Sequence, residues 1–244
     1  MNKILMLAFL LPLYLSSRAQ IKKGKVIYEQ KADVYRRLPD PGMKSMIPQF
    51  NKSRTELIFS GDVSLYKNIK EEEDIRDKAG EDNNRVIMKF GGGDDELYKD
   101  YTAGLETARR EMGPKFYIIT DTLPKQSWKL LPDTMTIRGY VCKKAMTTST
   151  REGKPVVAWY TEDIQVPAGP GPYGGLPGLI MALDVNEGEI VFSVLDMQTG
   201  VLDASIVRAP TDGKKISRAA FQKMMDEQMG GRPGEGVKMR IIHN

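Results

Sequence analysis

The chain has 244 residues, 36 of them Lys or Arg and 32 Asp or Glu, with a single cysteine and a single histidine. One cysteine, Cys142, rules out an intramolecular disulfide, and one histidine, His243, removes most Cys–His and metal-ligand constellations before any motif is sought. Basic and acidic residues interleave along the chain, so the formal charge of +4 is not the footprint of a nucleic-acid binder.

Taken in order, the chain opens with Lys3, an apolar run from Ile4 to Leu15, and the small-x-small site Ser17-Arg18-Ala19. This is the layout of a secretory signal peptide over residues 1–19, and the run is too short to span a bilayer. No cysteine follows the site, so a lipid anchor is not expected. Removing the segment leaves 34 basic residues against 32 acidic ones. No later apolar stretch reaches spanning length, so the mature chain is expected to be exported as a protein without a transmembrane segment: periplasmic, outer-membrane-associated or secreted. Residues 20–244 are enough to bury a core without staples; length alone allows one large β domain or two small ones, and a single β domain is expected.

Alternation over Gly24 to Arg36 puts Val26, Tyr28, Ala32 and Val34 on one face and predicts a half-buried strand. Leu38 to Ser53, with three prolines and no period, reads as a long loop. Thr55–Phe59 and Val63–Tyr66 flank Ser60-Gly61-Asp62 as a hairpin. Glu71 to Asn84 is charged and reads as a solvated loop. Strands follow at Arg85–Phe90, Leu97–Tyr101, Leu105–Arg110 and Lys115–Thr120, the last expected near the sheet centre. Trp128–Leu131 reads as a short strand ending at Pro132, and Thr134–Thr150 as one long strand. Pro155–Thr161 pairs with it. Leu179–Val185 and Glu189–Leu195 form a hairpin about Asn186-Glu187-Gly188, and Val201–Val207 reads as a strand. The period then changes. Ser217 caps a predicted helix over about 217–229, with Ala220, Phe221, Met224 and Met225 on one face and Gly230-Gly231 ending it. Met239–Ile242 is a last short strand. Hairpin spacing without βαβ alternation predicts a mainly β fold: a large curved antiparallel sheet or open barrel with a C-terminal amphipathic helix.

The stretch Gly169 to Val185, GPGPYGGLPGLIMALDV, joins prolines and glycines to an apolar run. Gly175-Leu176-Pro177-Gly178-Leu179-Ile180 resembles the signature of the GLPGLI family, exported proteins of Bacteroidetes-type bacteria. Phe116–Asp121, Trp128-Lys129-Leu130, Ile137–Ala145, Val157–Thr161 and Gly171-Pro172-Tyr173 are similar to that family in order and spacing, so the resemblance is most specific over 115–183. It implies an exported protein found near outer-membrane transport systems and supplies no reaction.

Gly169-x-Gly171-x-x-Gly174 is formally a dinucleotide fingerprint. Pro170 and Pro172 delete N–H groups that would cradle a pyrophosphate, and no helix follows, so no nucleotide cofactor is expected. The string reads either as a crossover with Leu176, Leu179 and Ile180 in the core, or as a stiff rim presenting Tyr173, Leu176, Pro177 and Leu179 to a ligand or partner. Cys142 reads as a core thiol. Met225 and Met229 with His243 offer a soft-metal alternative, set against ordinary helix packing. Tyr140 and Trp159 are expected as aromatics of the sheet, and a curled sheet would place them beside an apolar ligand. The leading expectation is therefore a non-enzymatic exported binding or accessory protein. It would hold an apolar small molecule or dock an outer-membrane transporter. The alternatives are a hydrolase working through carboxylates without His or Cys, because acid–base work needs neither, or a Met/His copper-handling protein.

Overall fold

The computed structural model describes residues 21–38, 41–45, 47–69, 87–89, 95–149, 153–200, 203–228 and 238–240. The signal-peptide reading and the charged loop 71–84 lie outside the described residues, as do Met229 and His243. The strands are β1 (Lys23–Asp33), β2 (Phe50–Ser60), β3 (Val63–Asn68), β4 (Ile87–Lys89), β5 (Glu96–Asp100), β6 (Leu105–Met112) and β7 (Lys115–Thr122). They continue with β8 (Lys129–Ile137), β9 (Tyr140–Thr148), β10 (Pro155–Thr161), β11 (Leu179–Val185), β12 (Ile190–Thr199), β13 (Lys214–Lys215) and β14 (Lys238–Arg240). One helix, α1 (Arg218–Gln228), precedes β14. Twelve strands form one sheet in the order β13-β7-β6-β5-β3-β2-β1-β12-β11-β10-β9-β8, and β4 pairs separately with β14. Among the described strands, only the β13–β7 contact is parallel. The protein is mainly β, with one large antiparallel-dominated sheet that does not close, and a C-terminal helix.

The connection that makes this one sheet is β1, which pairs along Lys23–Asp33 with β2 on one side and with β12 on the other. The early half of the chain is thereby zipped to the late half through a strand whose Val26 and Tyr28 are fully buried. Residues opposite one another in antiparallel strands project to the same face. The core face therefore carries Val26, Leu57, Leu97, Ala108 and Ile119 from β1, β2, β5, β6 and β7, and Phe192, Leu183, Ala158 and Ala145 from β12, β11, β10 and β9. The opposite face carries a ladder of alternating charge. Glu56 of β2 meets Lys67 of β3 at 3.2 Å, and Glu96 of β5 meets Arg109 of β6 at 3.9 Å. Part of that outer face has its own cover, where Val207 closes a small cluster with Ile58 and Leu65.

The structure moves several boundaries. The expected strand over Thr134–Thr150 is a hairpin: Arg138 and Gly139 both take positive φ, 52° and 82°, and turn β8 into β9. Arginine is not a residue that signals such a turn, which is why the unbroken alternation concealed it. β8 runs through Pro132 with a register shift between Leu130 and Thr134, tolerated because β8 is an edge strand. β7 is not central, having only the two-residue β13 beyond it. A short 3-10 helix, Pro41–Ser45, and the first residues of β2 occupy the expected long loop. Ala204–Ile206 is 3-10 helix rather than strand. The helix cap holds: the Ala220 N–H donates to Ser217 Oγ at 3.2 Å.

Glu189, at the end of the turn between β11 and β12, has its side chain only 2 % exposed. Burial disfavours its charge, but hydrogen bonds from Lys154 at 2.8 Å, Asn186 at 2.5 Å and Arg37 at 2.7 Å override this and hold its carboxyl down at about 2. A folded-state pKa below the unfolded one stabilises above the unfolded value and is lost as pH falls through the folded one. Glu189→Gln is expected to lose about 2 kcal/mol at pH 7 relative to wild type, with the difference fading between pH 4.5 and about 2. Urea titrations of both proteins across that range check it; a pH-independent difference would mean that the charge is not what matters.

Candidate functional site

The core face is not an open bowl. The segment from Glu162 to Gly178, which carries the Gly–Pro string, folds back over it. Ile164, Val166, Ala168 and Leu176 are buried in the same cluster as Tyr28, Tyr160, Met181 and Phe192. The Tyr28 hydroxyl donates to the Ile180 carbonyl at 2.7 Å, and the Ile180 and Leu179 N–H groups donate to Ala168 and Ile164 at 3.0 Å. Two glycines are needed for close approach. A Cβ on Gly169 would lie 2.6 Å from Ile180 Cδ1, and one on Gly178 would collide with the Thr161 carbonyl oxygen. The segment ends in a small hairpin closed by the Ala168–Gly174 bridge.

That hairpin tip rests on polar side chains of β5 and of the connection between β7 and β8. Trp128 Nε1 donates to the Gly174 carbonyl at 2.8 Å, and the Gly174 N–H donates to Gln126 Oε1 at 3.1 Å. Lys99, 3 % exposed, donates to the carbonyls of Gly171 at 2.9 Å and Tyr173 at 3.2 Å. Burial pushes its ammonium down to about 8, with Glu106 pulling the other way.

Lys99 begins a polar row. It stands opposite Glu106 of β6, which stands opposite Asp121 of β7. Ser64 of β3 precedes it, its Oγ 2.8 Å from the Tyr101 hydroxyl, and burial pushes that phenol up to about 12. From the other side α1 closes on the same row. Arg218 Nη2 donates to Glu106 Oε1 and Arg218 Nε to Asp121 Oδ2, each at 2.6 Å. The Arg218 hydrogen bond, with one from the Thr122 N–H, holds the Asp121 carboxyl below its ordinary value, and the same contacts raise the Arg218 guanidinium. The row thus lies between two covers, the Gly–Pro hairpin and α1. Chemically it offers two neighbouring carboxylates, one buried and one reaching solvent, bridged by a guanidinium. Such a set can orient water, accept a proton and steady developing negative charge. Asp121→Asn is expected to leave Arg218 paired with Glu106 alone, beside the Tyr117–Phe221 ring contact at 5.7 Å, and to speed amide exchange in residues 218–222, read by hydrogen–deuterium exchange; unchanged exchange would show that the helix is held by packing.

The residues singled out from the sequence fall elsewhere. Leu176 and Leu179 are core, at 2 % and 0 % exposure, and present nothing to a partner. Pro177 is exposed, and Tyr173, Tyr140 and Trp159 are half-buried. Trp159 lies beneath Lys144, whose Nζ lies 5.7 Å from its ring centroid, and like Tyr173 and Tyr140 it packs against the core cluster. Cys142 is buried, and burial pushes its thiol up to about 11. Met225 is half-buried on α1, and among the described residues no three or more His, Cys, Asp or Glu side chains gather closely enough to hold a metal ion. Lys99 and Glu106 were not picked out. Their signal was a charge on the apolar phase of a strand, Leu97-x-Lys99-x-Tyr101 and Glu106-x-Ala108.

Fold and site together define an open antiparallel β protein whose core face is closed by its own Gly–Pro segment and a carboxylate-anchored helix. The family model that matches, over residues 114–206, is described as N-glycanase peptide, N-terminal domain. Two crystal forms of PNGF-II share the fold at TM-scores of 0.57 and 0.56, with 17 % and 19 % identity, each covering 83 % of this chain. They cover only 33 % and 32 % of the PNGF-II chains, so this chain spans about a third of their length. No curated protein matches. These findings correct the GLPGLI resemblance: the matching family model and the similar structures belong to the N-glycanase side. They equally overturn the expectation of a non-enzymatic binding protein, and the hydrolase alternative fits them better.

Proposed function

We propose that the chain serves the hydrolysis of N-linked glycans, as an amidase-type protein working through carboxylates. The observation that carries this is the family match over 114–206, which contains Asp121 and borders the polar row, within a fold shared with PNGF-II over 83 % of the chain. The chemistry asks for water to add at the amide carbonyl joining an asparagine side chain to a sugar, so that a glycosylamine leaves and aspartate remains. In this reading Asp121, exposed and ionised, orients the water, and Glu106 keeps Arg218 aimed at the oxygen that gains charge. The signal-peptide layout supports work outside the cytoplasm, where N-glycoproteins of other cells are met.

The test is incubation of the purified chain with an N-glycopeptide, followed by mass spectrometry for the asparagine-to-aspartate conversion. Wild type is expected to release glycan, and Asp121→Asn to lower the rate by at least about 100-fold with an unchanged melting temperature. A folded wild-type chain that leaves native and denatured N-glycopeptide intact, alone and with its natural partners, would overturn the reading.

A further inference from the structure

The Gly–Pro segment, residues 162–178, is pinned at some points and free at others. Gly169 and Gly178 are pinned by crowding, against Ile180 and the Thr161 carbonyl. Gly171 and Gly175 are glycines for a different reason. At φ 57° and 80° they need the left-handed backbone, and no described atom lies within 4 Å of a Cβ built on either. The residues they bracket are correspondingly less covered: Pro172 is exposed and Tyr173 half-buried, whereas Ile164, Val166 and Leu176 are buried. Side chains hold this tip down by gripping its backbone. Trp128 and Gln126 take Gly174, and Lys99 takes the carbonyls of Gly171 and Tyr173. Lys99 thus directs two donors at neutral oxygens while Glu106 stands opposite it on β6. Such a place suits a neutral oxygen acceptor, because the ammonium attracts it and the neighbouring carboxylate repels an anion.

We propose that residues 171–174 are a lid that fills its own binding site. The Gly171 and Tyr173 carbonyls hold, on Lys99, the place of an amide carbonyl of the substrate, and the tip lifts about Gly171 and Gly175 to admit it. The Gly175 N–H, bonded to the Pro167 carbonyl at 2.9 Å, marks the end that stays in place. Lifting uncovers the ammonium beside Glu106 and joins the inner end of the polar row to its outer end at Asp121 and Arg218. The closed lid is therefore an autoinhibitory contact. The lid and the neutral carbonyl it stands in for rest on this geometry alone; that the amide belongs to an N-glycopeptide rests on the amidase reading.

The test reads access to Lys99 in the full chain by brief acetylation with N-hydroxysuccinimidyl acetate, followed by peptide mass spectrometry, with the exposed Lys52 as reference. Lys99 is expected to label at a rate insensitive to low urea, where labelling through global unfolding would climb steeply. Gln126→Ala and Trp128→Phe, each lacking one hold on Gly174, should raise that rate at least tenfold while Lys52 labelling is unchanged and the fold intact. N-acetylglucosamine, which carries an amide carbonyl, should then slow Lys99 labelling in both variants, and glucose, which lacks one, should not. Labelling of Lys99 that follows global unfolding in wild type and both variants would overturn the lid. Protection by both sugars alike, or by neither, would overturn the amide site. Opening and N-acetylglucosamine protection in a chain that leaves N-glycopeptide intact sinks the amidase reading and keeps lid and site. Glycan release by a chain whose Lys99 labels only on global unfolding does the reverse.

Discussion

Gly178→Ala is expected to lower the free energy of unfolding by about 3 kcal/mol, the scale of severe overpacking. The added methyl group would meet the backbone carbonyl of Thr161 rather than a side chain that can swing away. Relief requires moving either the end of β10 or the start of β11, and both are buried at Thr161 and Leu179. Leu176→Ala should cost a similar amount, about 3 kcal/mol, by opening a cavity beneath the same segment. Gly61→Ala is the control. Nothing lies within 4 Å of its Cβ position, and only its positive φ of 62° opposes the change, for about 1 kcal/mol. Urea unfolding of the three variants checks the order. Near-wild-type stability of Gly178→Ala would mean that the Gly–Pro segment is not seated on the core face.

Lys99 governs the second large effect, and its sign is opposite to that of an ion pair on the surface. Its folded pKa of about 8 lies below the unfolded value, so in the window above about 8 the unfolded chain binds more protons. Stability then rises with pH across that window. The cost of burying the charged form is present below about 8 and is relieved as the ammonium deprotonates. Lys99→Met removes this titration, along with two hydrogen bonds to Gly171 and Tyr173. Wild type minus variant should therefore increase by about 2 kcal/mol between pH 7.5 and 10. Taking the difference cancels the tyrosines, whose raised pKa values act in the other direction at the alkaline end. A flat difference would show that Lys99 keeps its proton in the fold, held by Glu106.

The two effects meet in the same stretch of chain. Gly178 sets where the segment rejoins the sheet, and Lys99 holds its tip beside Glu106. Under the proposed amidase reading, loss of either would alter the approach to Asp121 without touching that residue, so glycan release measured on Lys99→Met would distinguish a positioning role from a purely structural one. A pH profile that changes at pH values where the variant is still fully folded points to positioning.

Local signals determined the class of fold. Period-two alternation in β1, the Gly61 turn between β2 and β3, the Asn186-Glu187-Gly188 turn and the Ser217 cap are each set by residues within a few positions, and each stands as read except that β1 ends at Asp33 and Val34–Arg36 is 3-10 helix. The signals failed where a turn used an unexpected residue, as at Arg138, or where a strand crossed Pro132 because it lay at an edge. Which strand is an edge depends on partners far away in sequence. The Gly–Pro string shows the limit most clearly. Its composition required a stiff, close-packed path, but composition is the same for a rim and for a plug. Only the pairing of β1 with both β2 and β12, which builds one broad core face, decides that Leu176 and Leu179 turn inward. The candidate site had no linear pattern at all. Lys99, Glu106, Asp121 and Arg218 come from three neighbouring strands and a helix, and antiparallel register, not sequence spacing, sets them side by side.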